Sequence, residues 1–223
     1  KGGVRKIHVA RQDRLKEVEG RYLSVIEASE FAKGLTAAGT GGALSFLVSI
    51  GDSPVKNWRL TGTASMPTVS NLDSGNMDKY KKSGYACRAC PVRCGAIIEQ
   101  NQGPFAIAGE MHRPEYETLA ALGNLLVNDN LEAVIKANDI CNRYGIDTIS
   151  TGSAIAFAME CYENGLISRE DTGGLELKWG DAHAIVTLTQ QIARREGFGA
   201  VLADGAAKAA ERIGGGSERF AVA

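Results

Sequence analysis

The chain has 223 residues, enough for one large domain or two small ones, and its 44% hydrophobic content can supply a buried core. A formal net charge of -1 gives no positive excess for binding nucleic acid or an anionic membrane, and no apolar stretch is long enough to cross a bilayer. Because the five cysteines are odd in number and no signal peptide is visible, the sequence favours a cytoplasmic protein over a disulfide-bonded secreted one.

Hydrophobic periodicity predicts a mainly α-helical fold, an irregular bundle with a small extended segment and hairpin near a cluster of cysteines. The alternation of Ile7 and Val9 predicts a short strand that carries His8 on its other face. A helix is expected over Arg14–Ala32 with Asp13 as its N-cap, and the apolar run Leu44–Ile50 predicts a buried helix. The breaker-rich stretch 51–76 is expected to be irregular.

The second half of the chain is predicted to be helical after one hairpin, formed by Ala96–Ile98 and Phe105–Ala108 around a turn. The expected caps are Pro114 in a first turn, Asn130 and Asp181 at N-termini, and Gly145 and Gly197 at C-termini. The helix around Ala154–Tyr162 is apolar almost all round and should lie at the centre, and one alanine-rich helix is expected over Ala200–Ile213.

Three cysteines, Cys87, Cys90 and Cys94, form a C-x2-C-x3-C motif within eight residues. Thiolates select zinc or iron–sulfur centres, and a four-iron cluster needs a fourth cysteine from elsewhere. The three histidines are scattered along the chain and form no zinc motif, which favours iron and sulfur. Gly84 and Gly95 are expected to allow the tight wrap, and Arg88 and Arg93 are expected to offset the charge of a cluster.

A second candidate site is the stretch Asn142–Asp147 at a turn between helices. A left-handed Gly145 would expose backbone groups there, and the carboxylate of Asp147 could accept hydrogen bonds from a flat heterocycle such as a pterin. The alternative is a helix C-cap followed by an aspartate that binds its own backbone.

A third candidate lies in the segment Pro114–Thr118, whose two carboxylates, Glu115 and Glu117, are two residues apart and so point to different sides of a helix. One of them could act as a general acid or base, and both could equally be solvated surface charges. His112 is a candidate zinc ligand or proton carrier. Cys141 and Cys161 lie on helical stripes and are expected to be buried as hydrophobic residues.

Taken in order, the cysteine motif with its Ala-Cys-Pro and Cys-Gly flanks, the segment Pro114–Thr118 and the segment Gly145–Ser150 strongly resemble the tungsten-containing aldehyde:ferredoxin oxidoreductase family. The resemblance covers nearly the whole chain. It implies a protein of three domains with a tungsten bound by two molybdopterins beside a four-iron cluster. Residues 1–223 would be a single helical domain, the middle one of that larger oxidoreductase.

The resemblance also assigns roles to residues. Cys87, Cys90 and Cys94 would be cluster ligands, with the fourth cysteine in a missing domain. The family's pterin-binding pattern D-x-x-G-L-D is matched by Asn142, Gly145, Ile146 and Asp147, with asparagine in place of the first aspartate and isoleucine in place of leucine. Glu117 is favoured over Glu115 as the glutamate near tungsten.

The implied activity is oxidation of a small aldehyde to a carboxylic acid, with a 4Fe-4S cluster passing electrons to ferredoxin. The metal could be tungsten or molybdenum, and the chain could form a homo-oligomer. As a fragment without its missing domains, it would be inactive alone. Two rival interpretations outside the family are a non-catalytic iron–sulfur electron-transfer module and a zinc-stabilised helical binding module. The rival within the family is a reductase that acts on a carboxylate or an aromatic thioester.

Overall fold

The computed structural model describes residues 9–222, so the strand predicted around Ile7 and His8 lies outside the described residues. Helices dominate the described part of the chain, as the sequence predicted. Ten of them are found there: α1 Gln12–Ala28, α2 Glu30–Ala38, α3 Leu44–Ser49, α4 Ser74–Met77, α5 Tyr116–Leu122, α6 Leu131–Tyr144, α7 Thr148–Glu163, α8 Ala182–Arg194, α9 Gly199–Leu202 and α10 Ala206–Ile213. No helix among residues 9–222 combines the length and the apolar character needed to span a membrane.

Helix α7 forms the centre of the bundle because small and apolar residues surround its axis. It packs against α5, α8 and α10, and α6 packs against α8. Phe157 and Met159 of α7 are fully buried with Leu119 of α5 and Ile135 of α6. Burying each such side chain away from water stabilises the fold by roughly 1.5–3 kcal/mol, so the position of α7 is strongly determined.

Three antiparallel strands form one small sheet in the order β1-β2-β3: β1 Lys81–Tyr85, β2 Gly95–Glu99 and β3 Glu110–His112. The prediction that Ala96–Ile98 pairs with Phe105–Ala108 was therefore wrong. Strand β2 pairs with β1 across the cysteines and with β3 beyond the turn, while Phe105 and Ile107 are buried outside the sheet. Strand β1 reads Lys-Lys-Ser-Gly-Tyr, which carries no apolar alternation and gave no strand signal.

Several helix bounds differ from the prediction. The helix predicted over Arg14–Ala32 is two helices, because Ser29 is extended (φ -75°, ψ 120°) and its hydroxyl caps α2 by accepting from the backbone N–H of Ala32. Arg11, not Asp13, is the N-cap residue of α1. The helix predicted over Ala200–Ile213 is also divided, at Gly205 (φ 89°).

The predicted caps at Asn130 and Asp181 are confirmed, since each side chain accepts from backbone N–H groups of the following helix. Gly145 closes α6 in the left-handed conformation (φ 70°, ψ 33°), also as predicted. Helix α8 instead ends at Arg194, before Gly197, because Arg195 is already left-handed (φ 56°).

Two ion pairs hold the C-terminal helices together. Asp204, between α9 and α10, lies 2.8 Å from Arg195 and 2.5 Å from Arg212. The two arginines lower the pKa of the Asp204 carboxyl by hydrogen bonding to it.

The helical cysteines, Cys141 and Cys161, are fully buried, as predicted. Burial raises the pKa of the Cys141 thiol to about 11 and that of Cys161 to about 12. Both remain protonated near neutral pH and behave as small hydrophobic residues.

Candidate cofactor site

The cysteine loop, residues 87–94, connects the paired strands β1 and β2. Tyr85 lies opposite Gly95 where the loop leaves the sheet, and a Cβ on Gly95 would come within 2.7 Å of the Tyr85 ring. Gly95 is therefore needed because the ring packs directly over its backbone. The left-handed residues of the loop are Ala89 (φ 58°) and Arg93 (φ 56°), whereas neither Gly84 nor Gly95 has a positive φ. The expectation that these two glycines supply the backbone freedom for the tight wrap was therefore wrong.

Three hydrogen bonds hold the loop. The backbone N–H of Cys90 donates to the carbonyl of Cys87 (3.0 Å), which closes a turn across the C-x2-C spacing. The Thr36 hydroxyl of α2 donates to the Val92 carbonyl (2.5 Å), and the Arg113 guanidinium donates to the Cys94 carbonyl through Nη2 (2.6 Å). The second half of the loop is thus bound to two other parts of the fold.

All three loop cysteines are free thiols, with Cys87 exposed and Cys90 and Cys94 half-buried. Within residues 9–222, no group of three or more His, Cys, Asp or Glu side chains is close enough together to hold a metal ion as it stands. The donor chemistry suits a soft metal centre. Binding such a centre would require the three thiols to lie closer together than they do among the described residues.

The helix junction, residues 142–147, has the capping role that the sequence offered as one alternative. Asp147 caps α7 by accepting from the Ser150 N–H through Oδ2 (2.6 Å), and the Ile146 N–H donates to the Cys141 carbonyl (3.0 Å). The helix C-cap followed by a capping aspartate, the alternative to a ligand site, is thus present. Asn142 and Asp147 are nevertheless exposed at the surface, so the junction is open to a ligand.

One cavity of about 290 Å³ joins the helix junction to the base of the cysteine loop. Its wall combines side chains from the sheet, from α5 and from the helix junction. They are Tyr85, His112, Arg113, Glu115, Thr118, Asn138, Asn142, Ile146, Asp147 and Thr148. Strand β3 and the start of α5 bring these parts together, although Tyr85 and Asn142 are far apart in the sequence.

This junction cavity is rich in charged and polar groups. Burial raises the pKa of Tyr85, nearby Glu115, Cys87 and Cys94 raise it further, and Arg113 opposes them. Tyr85 also lies against His112, with ring centroids 4.7 Å apart and its hydroxyl 3.2 Å from His112 Nδ1. His112 is therefore placed beside the loop.

The two glutamates of the Pro114–Thr118 segment face different cavities. Glu115 lines the junction cavity, where its carboxylate accepts from the Thr40 hydroxyl. Glu117 lines a second cavity of about 260 Å³ together with Asp52, Trp58 and Tyr116. The prediction that they point to different sides holds, because Glu115 is the extended N-cap residue of α5 and Glu117 lies in its first turn.

Trp58 enters the second cavity from a segment with an unusual backbone. Lys56, Asn57 and Trp58 all have positive φ, at 52°, 49° and 67°. The strain is held by tertiary contacts: the Asn57 amide donates to the buried Glu160 carboxylate (2.5 Å) and to the Phe220 carbonyl (3.0 Å). This conformation could not be predicted from the sequence, because none of the three residues is a glycine.

Other residues of the site were also missed by sequence reasoning. Arg113 is buried behind the loop, and Thr40 fixes both Glu115 and the first turn of α5 by accepting from the Tyr116 N–H (2.9 Å). No motif spacing marks either residue, because their roles depend on contacts between elements far apart in the chain.

Comparison with known proteins identifies the family of the chain. A family model described as aldehyde ferredoxin oxidoreductase, domains 2 & 3, matches residues 17–223. The tungsten-containing aldehyde ferredoxin oxidoreductase of Pyrococcus furiosus is 39% identical over 81% of this chain and 29% of its own length. The protein of the same name from Pyrococcus abyssi is 35% identical over 96% of this chain and 35% of its own length. The chain thus spans about a third of the length of these relatives.

Two further proteins are similar. The aliphatic sulfonate oxidoreductase WOR-like subunit of Pyrococcus furiosus is 32% identical over 72% of this chain and 25% of its own length. The solved active site complex BamBC of benzoyl coenzyme A reductase superposes with a TM-score of 0.66 at 24% identity, over 79% of this chain and 26% of that chain, which shows a shared fold. By its family match and its similarity to these relatives, the chain belongs to the aldehyde ferredoxin oxidoreductase family.

Proposed function

We propose that this chain is the helical cofactor-binding domain of a larger tungsten-containing oxidoreductase, which oxidises aldehydes to carboxylic acids and passes the electrons to ferredoxin. The observation that carries the proposal is the junction cavity, which connects the base of the cysteine loop to the helix junction. The names of the curated relatives supply the metal, substrate class and electron acceptor.

The residues present suit a negatively charged metal centre. The cysteine loop offers three free thiols, and the buried Arg113 guanidinium has a nitrogen, Nη1, without a hydrogen-bond partner among the described residues. Cys87, Cys90 and Cys94 would bind a 4Fe-4S cluster, with a fourth cysteine from another domain. Such a cluster supplies single-electron transfer when it is bound.

A pterin would lie at the helix junction, against Asn142, Gly145, Ile146 and Asp147. Since Asp147 Oδ2 is engaged by the Ser150 N–H, its other oxygen is the acceptor left for a ligand. Gly145 leaves the backbone open because a Cβ there would meet no atom within 4 Å, and a ligand could occupy that space.

Glu117 is the proposed proton-transfer residue. Its exposed carboxylate lines the second cavity, whereas the carboxylate of Glu115 is held by Thr40. An aldehyde in the second cavity would lie beside Glu117 and against the apolar rings of Trp58 and Tyr116. The carboxylate could then accept a proton released when water supplies the second oxygen of the product.

The test uses the complete polypeptide that carries this sequence, purified without oxygen from cells supplied with tungstate. We expect tungsten, iron and sulfide in the protein and aldehyde-dependent reduction of a viologen dye. Glu117→Gln should lower kcat by about 100-fold or more with unchanged metal content, while Glu211→Gln should not, because Glu211 is an exposed carboxylate of α10 that pairs with Lys208.

Other results would identify a different function. Iron and sulfide without tungsten, and without activity on any aldehyde, would indicate an electron-transfer module. Zinc without iron would indicate a zinc-stabilised binding module. A metal-loaded protein that oxidises an alkyl sulfonate and no aldehyde would place it with the sulfonate-oxidising relative instead.

A further inference from the structure

Arg113 is a buried cation with an incomplete set of partners. Its residue is only 7% exposed, and Nη1 is buried without a hydrogen-bond partner among residues 9–222. None of the ion pairs found there includes Arg113. A guanidinium cannot lose its proton in a protein, and a buried charge without a counter-ion is strongly destabilising. The arrangement therefore calls for an anion.

The guanidinium is fixed in position against the cysteine loop. Nη2 donates to the Cys94 carbonyl (2.6 Å), and the backbone N–H of Arg113 donates to the Ala96 carbonyl of β2 (2.8 Å). Gly39, with φ 68°, packs against the guanidinium on the edge that carries Nε and Nη2, where a Cβ would lie 2.7 Å from Arg113 Cζ. The close approach of the Gly39 backbone limits the room for the side chain to rotate on that edge.

The neighbouring anions are few. The carboxylate of Glu115, two residues further along, already accepts from Thr40 and lies beyond ion-pair distance of Arg113. The Asp147 carboxylate also lines this cavity, but it caps α7 and forms no ion pair with Arg113. The loop cysteines become further anionic groups beside Arg113 once they are thiolates on a metal centre. A cluster bound by four thiolates carries net negative charge, and N–H donors to its sulfurs raise its reduction potential.

We propose that Arg113 is a positioning residue for the iron–sulfur cluster, with Nη2 fixing the backbone at Cys94 and Nη1 donating to a sulfur of the cluster. This inference rests on the proposed function. It assigns the charge compensation to a buried arginine outside the cysteine motif, in place of the exposed Arg88 and Arg93 within it. Charge at those two positions is screened by solvent, whereas Arg113 acts from a site of low dielectric constant.

The experiment measures the midpoint potential of the cluster by EPR-monitored redox titration of the complete anaerobic polypeptide. Arg113→Gln removes the charge. Arg113→Lys keeps the charge but cannot donate from two fixed nitrogens at once. Arg88→Gln, next to Cys87, is the matched control. Circular dichroism and iron content are recorded for each variant.

In Arg113→Gln we expect the equilibrium constant for one-electron reduction to fall about ten-fold, a shift of about 59 mV to more negative potential. Loss of a positive charge disfavours the added electron, which gives the sign. Arg88→Gln should shift the potential less. If Arg113→Gln loses its helical circular dichroism, Arg113→Lys carries the test, with a smaller negative shift expected.

A shift in Arg113→Gln no larger than in Arg88→Gln would overturn this inference and leave the proposed function intact. When the glutamine variant does not fold, a wild-type potential in Arg113→Lys would overturn the proposed hydrogen bond from Nη1 to sulfur, because lysine keeps the charge and cannot make both contacts. Absence of iron from the wild-type protein would overturn the inference and the proposed function together.

Discussion

The close contact between α5 and α7 depends on Gly152, and its replacement by alanine gives a quantitative test of the packing. A Cβ at Gly152 would lie 2.7 Å from the carbonyl carbon of Ala121 and 2.9 Å from its Cβ. Carbon atoms normally approach to about 3.5–4.0 Å, so the helices would have to separate by about 1 Å. Helices α5 and α7 are both buried at this contact. Rotation of a side chain cannot relieve it, because the carbonyl carbon and Cβ of Ala121 are fixed by the backbone.

Overpacking of this kind costs about 1–3 kcal/mol, and the replacement of a helical glycine by alanine returns up to about 1 kcal/mol. The contacts at Gly152 include backbone atoms, so the upper end of the cost applies, and we expect Gly152→Ala to lower the free energy of unfolding by about 2 kcal/mol. In a chain of this size that corresponds to a fall in Tm of about 4–8 °C. The helices also carry walls of both cavities, so Gly152→Ala should weaken ligand binding there.

The matched control is Gly34→Ala in α2, because a Cβ at Gly34 would meet nothing within 4 Å. It should be neutral or should stabilise the protein by up to about 1 kcal/mol. The measurement is thermal and urea unfolding followed by circular dichroism at 222 nm. A Gly152→Ala protein as stable as the wild type, or a Gly34→Ala protein less stable than Gly152→Ala, would refute the assigned contact between α5 and α7.

Three further predictions concern stability and thiol reactivity. Asn57→Ala should lower the free energy of unfolding by about 1.5–3 kcal/mol, since it removes a hydrogen bond to the buried Glu160 carboxylate. The exposed Asn71→Ala should change it by less than about 0.5 kcal/mol in the same urea titration. Asp204→Asn should be less stable than the wild type at pH 7. Because its folded-state pKa is depressed, that contribution is present above the unfolded pKa and is lost as pH falls through the folded pKa, so the Tm difference should shrink in acid. A difference independent of pH would contradict the assigned ion pair. In metal-free native protein at pH 8, iodoacetamide should modify the thiols of the cysteine loop and spare the helical cysteines, as mass spectrometry can show. Equal modification of all five would disprove the burial of the helical pair.

Local sequence patterns predicted the helix ends well where the capping interaction is made within one helical turn. Asn130 and Asp181 cap their helices because a short polar side chain reaches the free N–H groups from that position. Gly145 ends α6 because glycine enters the left-handed region without a steric penalty. The same periodicity predicted one continuous helix across Ser29 and another across Gly205, where the structure has two helices each time. The apolar stripe continues across each break because only a few backbone angles change there.

Pairing in the sheet could not be read from the sequence. Strand β1 is polar on both faces and pairs with β2 because the cysteine loop returns the chain antiparallel beside it. The apolar segment Phe105–Ala108 met the local criteria for a strand, yet the core accepts its side chains without a partner strand. Register depends on partners far along the chain, which a local pattern does not contain.

The sequence by itself determined the mainly helical class, the central apolar helix α7 and the family, through three ordered motifs whose residue types are tied to their chemistry. Tertiary structure alone decided that Arg113 lies buried behind Cys94, that Glu115 and Glu117 face different cavities, and that the helix junction meets the base of the cysteine loop. The physical reason is that periodicity and capping act over a few residues. Burial of a charge and the walls of a cavity are set by side chains that only the packed chain brings together.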